Sequence, residues 1–540
     1  MKQKISSLIV NLSTVFSAIF CLFILIFVSN KGISFSDESL HLLFTSVPNQ
    51  DFDFTIMKYA LLFKVLNLEL PIYATRLLGV FGLGIATLYF WRTLVSMSLV
   101  KKEKGYFYYI FLIIATSCYF VGAIYSLSYN LIILICGLIS SSLFIHLWRN
   151  PDKLRLHVIV SFVLYVIYIT KLPTSVLFCF IYLLVLSLQV VLKKITFLKA
   201  LGTLGLSLII PCLFFFVFPK TSPLFMLDVL QNFGFPASYD PIKLLMNFIF
   251  ELGYFITFIS LGVFSRSLSQ NIKRETFRTG FLLFSMILGF LYAKFIFNDE
   301  LNSRPVWIPL FSVFSIGLLY KEFLQFNIEK RSFLVFLLVL PFIMILGTNN
   351  GMLISSVKYS PIWLVITSFL ISQTKEKWYL NFIMFIFCLS LPYSLASTLV
   401  LNPYRQDGIL ANTEVIRFNN GDHYVTPEVK ESIDDLSTIL SNSGYSSDYI
   451  LGLSRLCGEV LFSGKTYPCT PVWSKDFFKK DWVDNNKLPP NFFLLSSHNT
   501  IETKEILESF KSYNIVDIGK YNKKNSYTEG DVINCFYISK

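Results

Sequence analysis

The chain has 540 residues, of which 54% are hydrophobic and only 15% charged, with 56 Phe and 28 Tyr. A soluble domain carries about a quarter charged residues, so composition excludes one large globular core and points to a polytopic membrane protein. The formal net charge is +12; the basic residues fall in loops at alternating ends of apolar runs, which leaves no basic stripe for a nucleic-acid partner.

The first apolar run follows Met1-Lys2-Gln3-Lys4 and precedes no small-residue cleavage site, so it reads as a retained signal anchor. Basic loops recur at Lys2/Lys4, Arg92 with Lys101/Lys102/Lys104, Arg149/Lys153/Arg155, Lys193/Lys194/Lys199, Arg266/Lys273/Arg274/Arg278, Lys321/Lys330/Arg331 and Lys375/Lys377. Placing all of them in the cytoplasm predicts about thirteen transmembrane helices within residues 1–401. They lie near 8–28, 73–91, 106–124, 129–148, 158–170, 174–192, 200–218, 244–264, 279–297, 306–320, 332–347, 360–373 and 379–401. Those near 158–170 and 360–373 are short, which keeps a merged or re-entrant arrangement open. The odd number puts everything after residue 401 outside the cytoplasm.

Polarity concentrates in the first outer loop, 31–71. Ser36 is placed to cap a helix whose first turn holds Asp37 and Glu38, with Leu40, Leu43, Phe44 and Val47 on one face. Pro48-Asn49-Gln50-Asp51 breaks it. A second amphipathic stripe follows, Ile56, Tyr59, Ala60, Phe63 and Leu66, with Lys58 and Lys64 off that face. As complements to a helix dipole the two acids would contribute about 0.3–1 kcal/mol, which accounts for one acid better than two.

Three cationic residues then mark the outer ends of spans: Arg76 inside the second, Lys171 in Lys171-Leu172-Pro173, and Arg304 in Asn302-Ser303-Arg304-Pro305. Each alone suits a snorkelling anchor. Three converging beside a carboxylate pair suit an anionic lipid headgroup.

Composition changes at Asn402, and residues 402–540 read as a soluble extracytoplasmic α/β domain. Thr426-Pro427-Glu428 opens a helix carrying Val429, Ile433, Leu436, Ile439 and Leu440, and Ser443-Gly444 closes it. Segments 449–453, 492–495, 515–518 and 532–538 have strand length, and 503–514 reads as a second helix. Of nine cysteines, Cys457, Cys469 and Cys535 fall here. Cys457 and Cys469 bracket a loop that a disulfide would close in an oxidising compartment. The five histidines are scattered, none at zinc-ligand spacing, and no P-loop or glycine-rich nucleotide signature is present.

Over residues 1–400 the pattern resembles the GT-C-fold glycosyltransferases, in the branch of the lipid A aminoarabinose transferase and the protein O-mannosyltransferases. Asp37-Glu38 matches that family's Asp-Asp/Glu motif, its most specific mark. Arg76 matches an Arg at the start of the second span. Lys171-Leu172-Pro173 matches a Lys-Gly-Pro pattern with Leu for Gly, and Arg304-Pro305 matches more loosely an Arg-Tyr before a proline-containing span. Trp-Trp-Asp, the mark of oligosaccharide transfer to Asn, is absent. The resemblance implies a multi-pass protein of the cell inner membrane. Its donor would be a polyprenyl-phosphate-linked sugar, and its acceptor an envelope lipid, polysaccharide or protein.

The chemistry of that class needs these residue types. Sugar C1 is displaced from a lipid phosphate through an oxocarbenium-like state. A carboxylate, Asp37, serves as base for the acceptor hydroxyl, while Glu38 orients the acceptor or shares a divalent ion. Arg76, Lys171 and Arg304 absorb the charge of the leaving phosphate. Some relatives use a metal and others do not, so a divalent metal ion stays open. Two alternatives stand beside the transferase: a flippase or transporter of lipid-linked sugars, and a polysaccharide polymerase or ligase. The lack of paired, broken helices with internal symmetry counts against transport.

Overall fold

The computed structural model describes residues 2–34, 37–46, 58–66, 69–96, 105–121, 125–227, 241–298, 305–346, 351–373, 377–401, 408–453, 456–466, 488–497, 507–508, 510–523 and 532–540. Its helical part runs through α1 (Lys2–Phe27), α2 (Asp37–Ser46), α3 (Ala60–Leu66), α4 (Ile72–Ser96), α5 (Gly105–Ser117), α6 (Tyr129–Arg149), α7 (Leu154–Thr170), α8 (Leu172–Val191) and α9 (Phe197–Val217). It continues with α10 (Pro241–Gln270), α11 (Glu275–Asn298), α12 (Trp307–Leu318), α13 (Tyr320–Leu324), α14 (Ile328–Ile345), α15 (Met352–Gln373) and α16 (Lys377–Ala396), which a π turn extends to Leu401.

Among the described residues, eight helices are long and apolar enough to cross a membrane, and four further apolar helices have 10–17 residues. That count falls short of the thirteen expected. The helices at the expected spans near 158–170 and 306–320 have 17 and 12 residues, and α14 opens on Glu329, Lys330 and Arg331. The outside of the bundle is apolar: Phe16 is 73% exposed, Leu198 79% and Phe216 87%. Water would not tolerate so broad an apolar face, and lipid does. α6 and α15 form the centre of the bundle, with nearly all their described side chains buried.

Four of these helices contain an interior proline, Pro211, Pro341, Pro361 and Pro392, whose missing N–H frees a carbonyl four residues earlier. For three of them a serine hydroxyl donates to that carbonyl. Ser360 serves Val357 ahead of Pro361 at 2.8 Å, Ser161 serves Ser207 ahead of Pro211, and Ser17 serves Cys388 ahead of Pro392. With no water in hydrocarbon, this keeps the backbone satisfied.

The bundle has two chemically distinct ends. At the lower end, Arg149 Nη1 donates to Ser96 O at 3.0 Å, Lys199 meets Asp152 at 2.5 Å and Arg266 meets Glu322 at 3.6 Å, all within the basic loops. The upper end carries the described residues of the first loop and of 408–540.

In that C-terminal part, β1 (Glu414–Phe418) and β2 (Gly421–Val425) form a hairpin, followed by α17 (Pro427–Asn442), β3 (Ile450–Gly452), α18 (Cys457–Phe462), β4 (Asn491–Ser497), β5 (Asn514–Asn522) and β6 (Val532–Ser539). The larger sheet has the order β3-β4-β6-β5, parallel only between β3 and β4. Thr426 Oγ1 caps α17 by accepting from Val429 N, and Gly444 follows the helix at φ +73°, as its sequence signals require. The hairpin was not anticipated; it turns on Asn419 and Asn420 at φ 45° and 60°, the left-handed pair that tight hairpins favour. The helix expected over 503–514 lies partly outside the described residues, and its last residue opens β5 instead. Cys457 is buried on α18 and Cys535 on β6, while Cys469, the other half of the expected bridge, lies outside the described residues.

The core of this part is shared with the first loop. Ile33, Leu42, Leu43 and Ile72 pack in one cluster with Phe418, Val425, Leu456, Val460 and Leu461. Backbone bonds join the two as well: Gly32 N donates to Tyr424 O at 2.9 Å and Tyr424 N donates to Asn30 O at 2.8 Å. Of the second amphipathic stripe, Tyr59, Ala60 and Phe63 are buried as expected. Lys58, expected on the outward face, is instead 2% exposed, with its ammonium 5.1 Å from the centre of the Phe225 ring. The aromatic face offsets part of the cost of burying that charge.

Candidate active site

α2 begins at Asp37, so both acids of the pair fall in its first turn, where the unsatisfied N–H groups favour negative charge. Glu38 is fully buried and accepts four hydrogen bonds. Oε1 takes them from Arg76 Nε at 2.9 Å and from Ser126 Oγ; Oε2 takes them from Arg76 Nη2 at 2.8 Å and from Ser34 N at 3.4 Å. The two arginine bonds make a bidentate fork, the geometry in which a buried ion pair offsets most of its desolvation cost.

Arg76 does more than neutralise Glu38. Its Nη1 donates to the carbonyls of Val28, Ser29 and Lys31 at 3.1, 3.1 and 2.9 Å, and Nη2 donates to Gly32 O at 2.6 Å. These carbonyls form the turn that leaves α1, where a helix end needs donors and favours a cation. The Tyr125 ring lies 5.1 Å below the guanidinium, and its hydroxyl donates to Leu25 O near the end of α1. Arg76 therefore ties α1, α2 and α4 together. It was expected among the cations for the donor phosphate, yet all five of its N–H groups are engaged by the protein itself.

A second set of groups surrounds the pair. His41 is buried, with Nδ1 2.6 Å from the Tyr59 hydroxyl and its ring 5.5 Å from Tyr129. Burial, reinforced by the charge of Lys358 and opposed by Glu38, pushes its pKa down to about 3. His423 reaches the site from β2 and donates from Nε2 to Gly32 O at 3.0 Å, sharing that carbonyl with Arg76. Burial and the neighbouring Arg76 push its pKa down to about 3 as well.

Lys171 sits between α7 and α8 in extended backbone, φ −156° and ψ 95°, just ahead of Leu172-Pro173, where proline starts the next helix. Its ammonium is buried and donates to Met344 O at 2.6 Å and Ile345 O at 3.3 Å, capping the end of α14. Two of its three N–H donors are thereby engaged.

The segment leading into α6 links these groups. Ser126 donates to Glu38, Tyr129 lies beside His41, and Asn130 accepts from the Tyr359 hydroxyl at 3.0 Å. Tyr359 adjoins Lys358, a buried lysine. Sequence reasoning passed over Lys358 because the span was started near residue 360, whereas α15 begins at Met352. The signal was available: an ionisable residue within an apolar helix is a candidate functional group.

Among the described residues, six cationic side chains are buried (Lys58, Arg76, Lys171, Arg266, Lys358 and Lys523) against three buried carboxylates, Glu38, Glu322 and Glu459. The carboxylates lie within 2.8, 3.6 and 2.7 Å of Arg76, Arg266 and Lys523. Asp37 is placed as the first residue of α2, but its side chain lies outside what is described, as does Arg304. Glu38, considered above as a ligand for a divalent ion, accepts a hydrogen bond on every lone-pair site and does not fit that role.

No family model matches the sequence, and no curated protein matches it. Among solved structures, the crystal structure of the Archaeoglobus fulgidus oligosaccharyltransferase in complex with zinc and sulfate is similar. The likeness covers 89% of this chain and 67% of that one, at 11% identity and a TM-score of 0.48.

Proposed function

We propose that the chain is an integral membrane glycosyltransferase of the GT-C type. It moves a sugar from a polyprenyl-phosphate donor to a lipid, polysaccharide or protein of the cell envelope, on the outer side of the cytoplasmic membrane. One observation carries this reading: the acid-pair helix α2 is joined through Glu38–Ser126 and His41–Tyr129 to the start of α6, whose Asn130 holds Tyr359 of α15 beside the buried Lys358. A carboxylate and a buried lysine with a donor to spare are the groups needed by a reaction in which a hydroxyl loses a proton and a phosphate gains charge.

The roles divide within the pair. Glu38 is held by Arg76, Ser126 and Ser34, so its part is to fix the start of α2. Asp37 is the base. It takes the proton of the acceptor hydroxyl as that oxygen bonds to sugar C1, while the C1–O bond to the phosphate breaks and the phosphate keeps the electron pair. The remaining N–H of Lys171 meets the phosphate. The basic loops of the lower end lie in the cytoplasm, and the first loop and residues 402–540 lie outside.

Glycan analysis of cell envelopes with and without the gene product tests the reading. Loss of one sugar from one envelope component, with accumulation of its lipid-linked donor, is the expected result. Identical glycans and donor pools in the two would remove the transferase reading.

A further inference from the structure

We propose that the cavity between the end of α1 and the β1–β2 hairpin binds the headgroup of phosphatidylethanolamine, as a lipid site separate from the acid pair. Such a site is independent of the transferase reading and of the reaction the chain performs.

The cavity has a volume of about 830 Å³, within the range of small-molecule sites. Ile26, Phe27 and Tyr73 line it from the helical bundle, and Asn412, Asp422 and Tyr424 line it from the C-terminal part. Glu38, His41, Arg76 and Lys171 do not line it. Its walls are held in place. Tyr424 N donates to Asn30 O and Gly32 N to Tyr424 O, while Arg76 holds the carbonyls of Ser29 and Lys31 in the same turn.

The membrane side of the cavity suits a lipid. Phe16, Ile19, Phe23 and Ile26 fall on one face of α1 and are each more than half exposed, so an apolar stripe runs along the helix to the cavity. An acyl chain lying on that stripe brings its headgroup there. Tyr73, exposed in the first turn of α4, has the amphipathic ring favoured at the water–lipid boundary. Lys31 also lines the cavity, with its ammonium 4.0 Å from the centre of the Phe27 ring. Among the described residues no carboxylate pairs with it, and a lipid phosphodiester supplies the missing anion.

Asn412 decides which headgroup. It is 5% exposed, and its Nδ2 donates to Ile409 O at 3.1 Å. Its Oδ1 is buried with no hydrogen-bond partner among the described residues. A buried acceptor left unpaired is costly, so the site calls for a donor as well as an anion. Asp422 adds a carboxylate, which meets Arg417 at 3.5 Å across exposed surface, a weak pair. The ammonium of ethanolamine brings a positive charge and three N–H donors. The quaternary ammonium of choline has the charge but no donor, and the hydroxyls of glycerol donate without charge. Ethanolamine alone of these matches both Asn412 and Asp422, with its phosphate on Lys31.

Native mass spectrometry tests this on purified protein offered equal amounts of phosphatidylethanolamine and phosphatidylcholine with the same acyl chains. Wild type should retain the ethanolamine lipid about tenfold over the choline lipid, the order of one hydrogen bond to a charged group. Lys31→Met should lower retention of both, because both carry the phosphate. Asn412→Leu should bring the two lipids near parity. Asn412→Asp also loses the bond to Ile409 O but keeps an acceptor, so the preference should survive in it. Both Asn412 variants should bind phosphatidylcholine as wild type does, which shows that they are folded. Parity in wild type, a preference unchanged by Asn412→Leu, or retention unchanged by Lys31→Met would each overturn the proposal. Parity in both Asn412 variants would overturn it as well, since the bond to Ile409 would then set the preference. Displacement of phosphatidylethanolamine by an added polyprenyl phosphate would assign the cavity to that lipid instead and leave the transferase reading standing.

Discussion

Arg76 and Glu38 meet in a two-pronged ion pair, Nε to Oε1 at 2.9 Å and Nη2 to Oε2 at 2.8 Å, with both side chains fully buried. They stand 38 residues apart, and the pair closes the first loop back onto α4. Removing one partner of such a pair strands a charge in low dielectric, at about 3–5 kcal/mol. Glu38→Gln is therefore expected to lower thermal stability markedly in detergent or nanodiscs. Arg76→Lys should also destabilise, because an ammonium cannot form the fork and cap the α1 carbonyls together. An unchanged melting temperature for Glu38→Gln would show that the loop is held by other contacts.

Leu42 and Leu43 lie on α2, yet they pack in the core of the C-terminal part with Val460 and Leu461. Truncating a buried leucine typically costs about 2–5 kcal/mol. Leu43→Ala should thus weaken the C-terminal part and the acid-pair helix together. Residues 402–540 expressed alone should expose this face and bind a hydrophobic dye. Protease protection and dispersed NMR signals for that fragment, equal to those of the full chain, would argue against the shared core.

Much of this was legible in the sequence, and the reasons differ by element. α17 is written locally: Thr426, Pro427 and Glu428 open it, and Gly444 closes it at a φ that glycine favours. The start of α2 is equally local. The partnership of Glu38 and Arg76 is tertiary; each was read as a site residue, and nothing in a single sequence says that they consume one another's hydrogen-bonding capacity. The β1–β2 hairpin was missed because Asn419-Asn420 is a weaker turn signal than Asn-Gly. Lys358 escaped because hydropathy averaging trimmed the polar first turns of α15, a segment whose Ser355, Ser356, Lys358 and Ser360 are all buried. Averaging assumes that polar means exposed, and inside this bundle it does not.

Two buried histidines make stability depend on pH. His41 and His423 are both held neutral, with pKa values pushed down to about 3. In the unfolded chain each titrates near 6.5, so below that pH the unfolded state binds more protons. Their contribution is fully present above about pH 6.5 and is lost as pH falls from there toward about 3, by up to about 1.4 kcal/mol per pH unit for each. Thermal melts between pH 4.5 and 7.5 should show this decline. His423→Gln keeps a donor for Gly32 O and should flatten the slope. A slope in that variant equal to wild type would assign the decline to other groups.

Asp37 bears the functional claim, and its substitution separates chemistry from architecture. Asp37→Asn keeps the shape and the N-terminal position on α2 but cannot accept a proton. General-base catalysis contributes about 10²–10⁴-fold, so turnover of a lipid-linked sugar should fall by that factor with donor binding nearly intact. Lys171→Met should differ in kind. It removes the ammonium that caps Met344 and Ile345 and the donor left for the phosphate, so donor affinity should fall and stability with it. If Asp37 merely complements the helix dipole, Asp37→Asn costs well under about 1 kcal/mol of stability and leaves transfer near normal. Measured kcat and donor KM on purified protein distinguish the outcomes. Near-normal kcat in Asp37→Asn would shift the balance to transport of lipid-linked sugars, because the buried cations could then gate a path without any base.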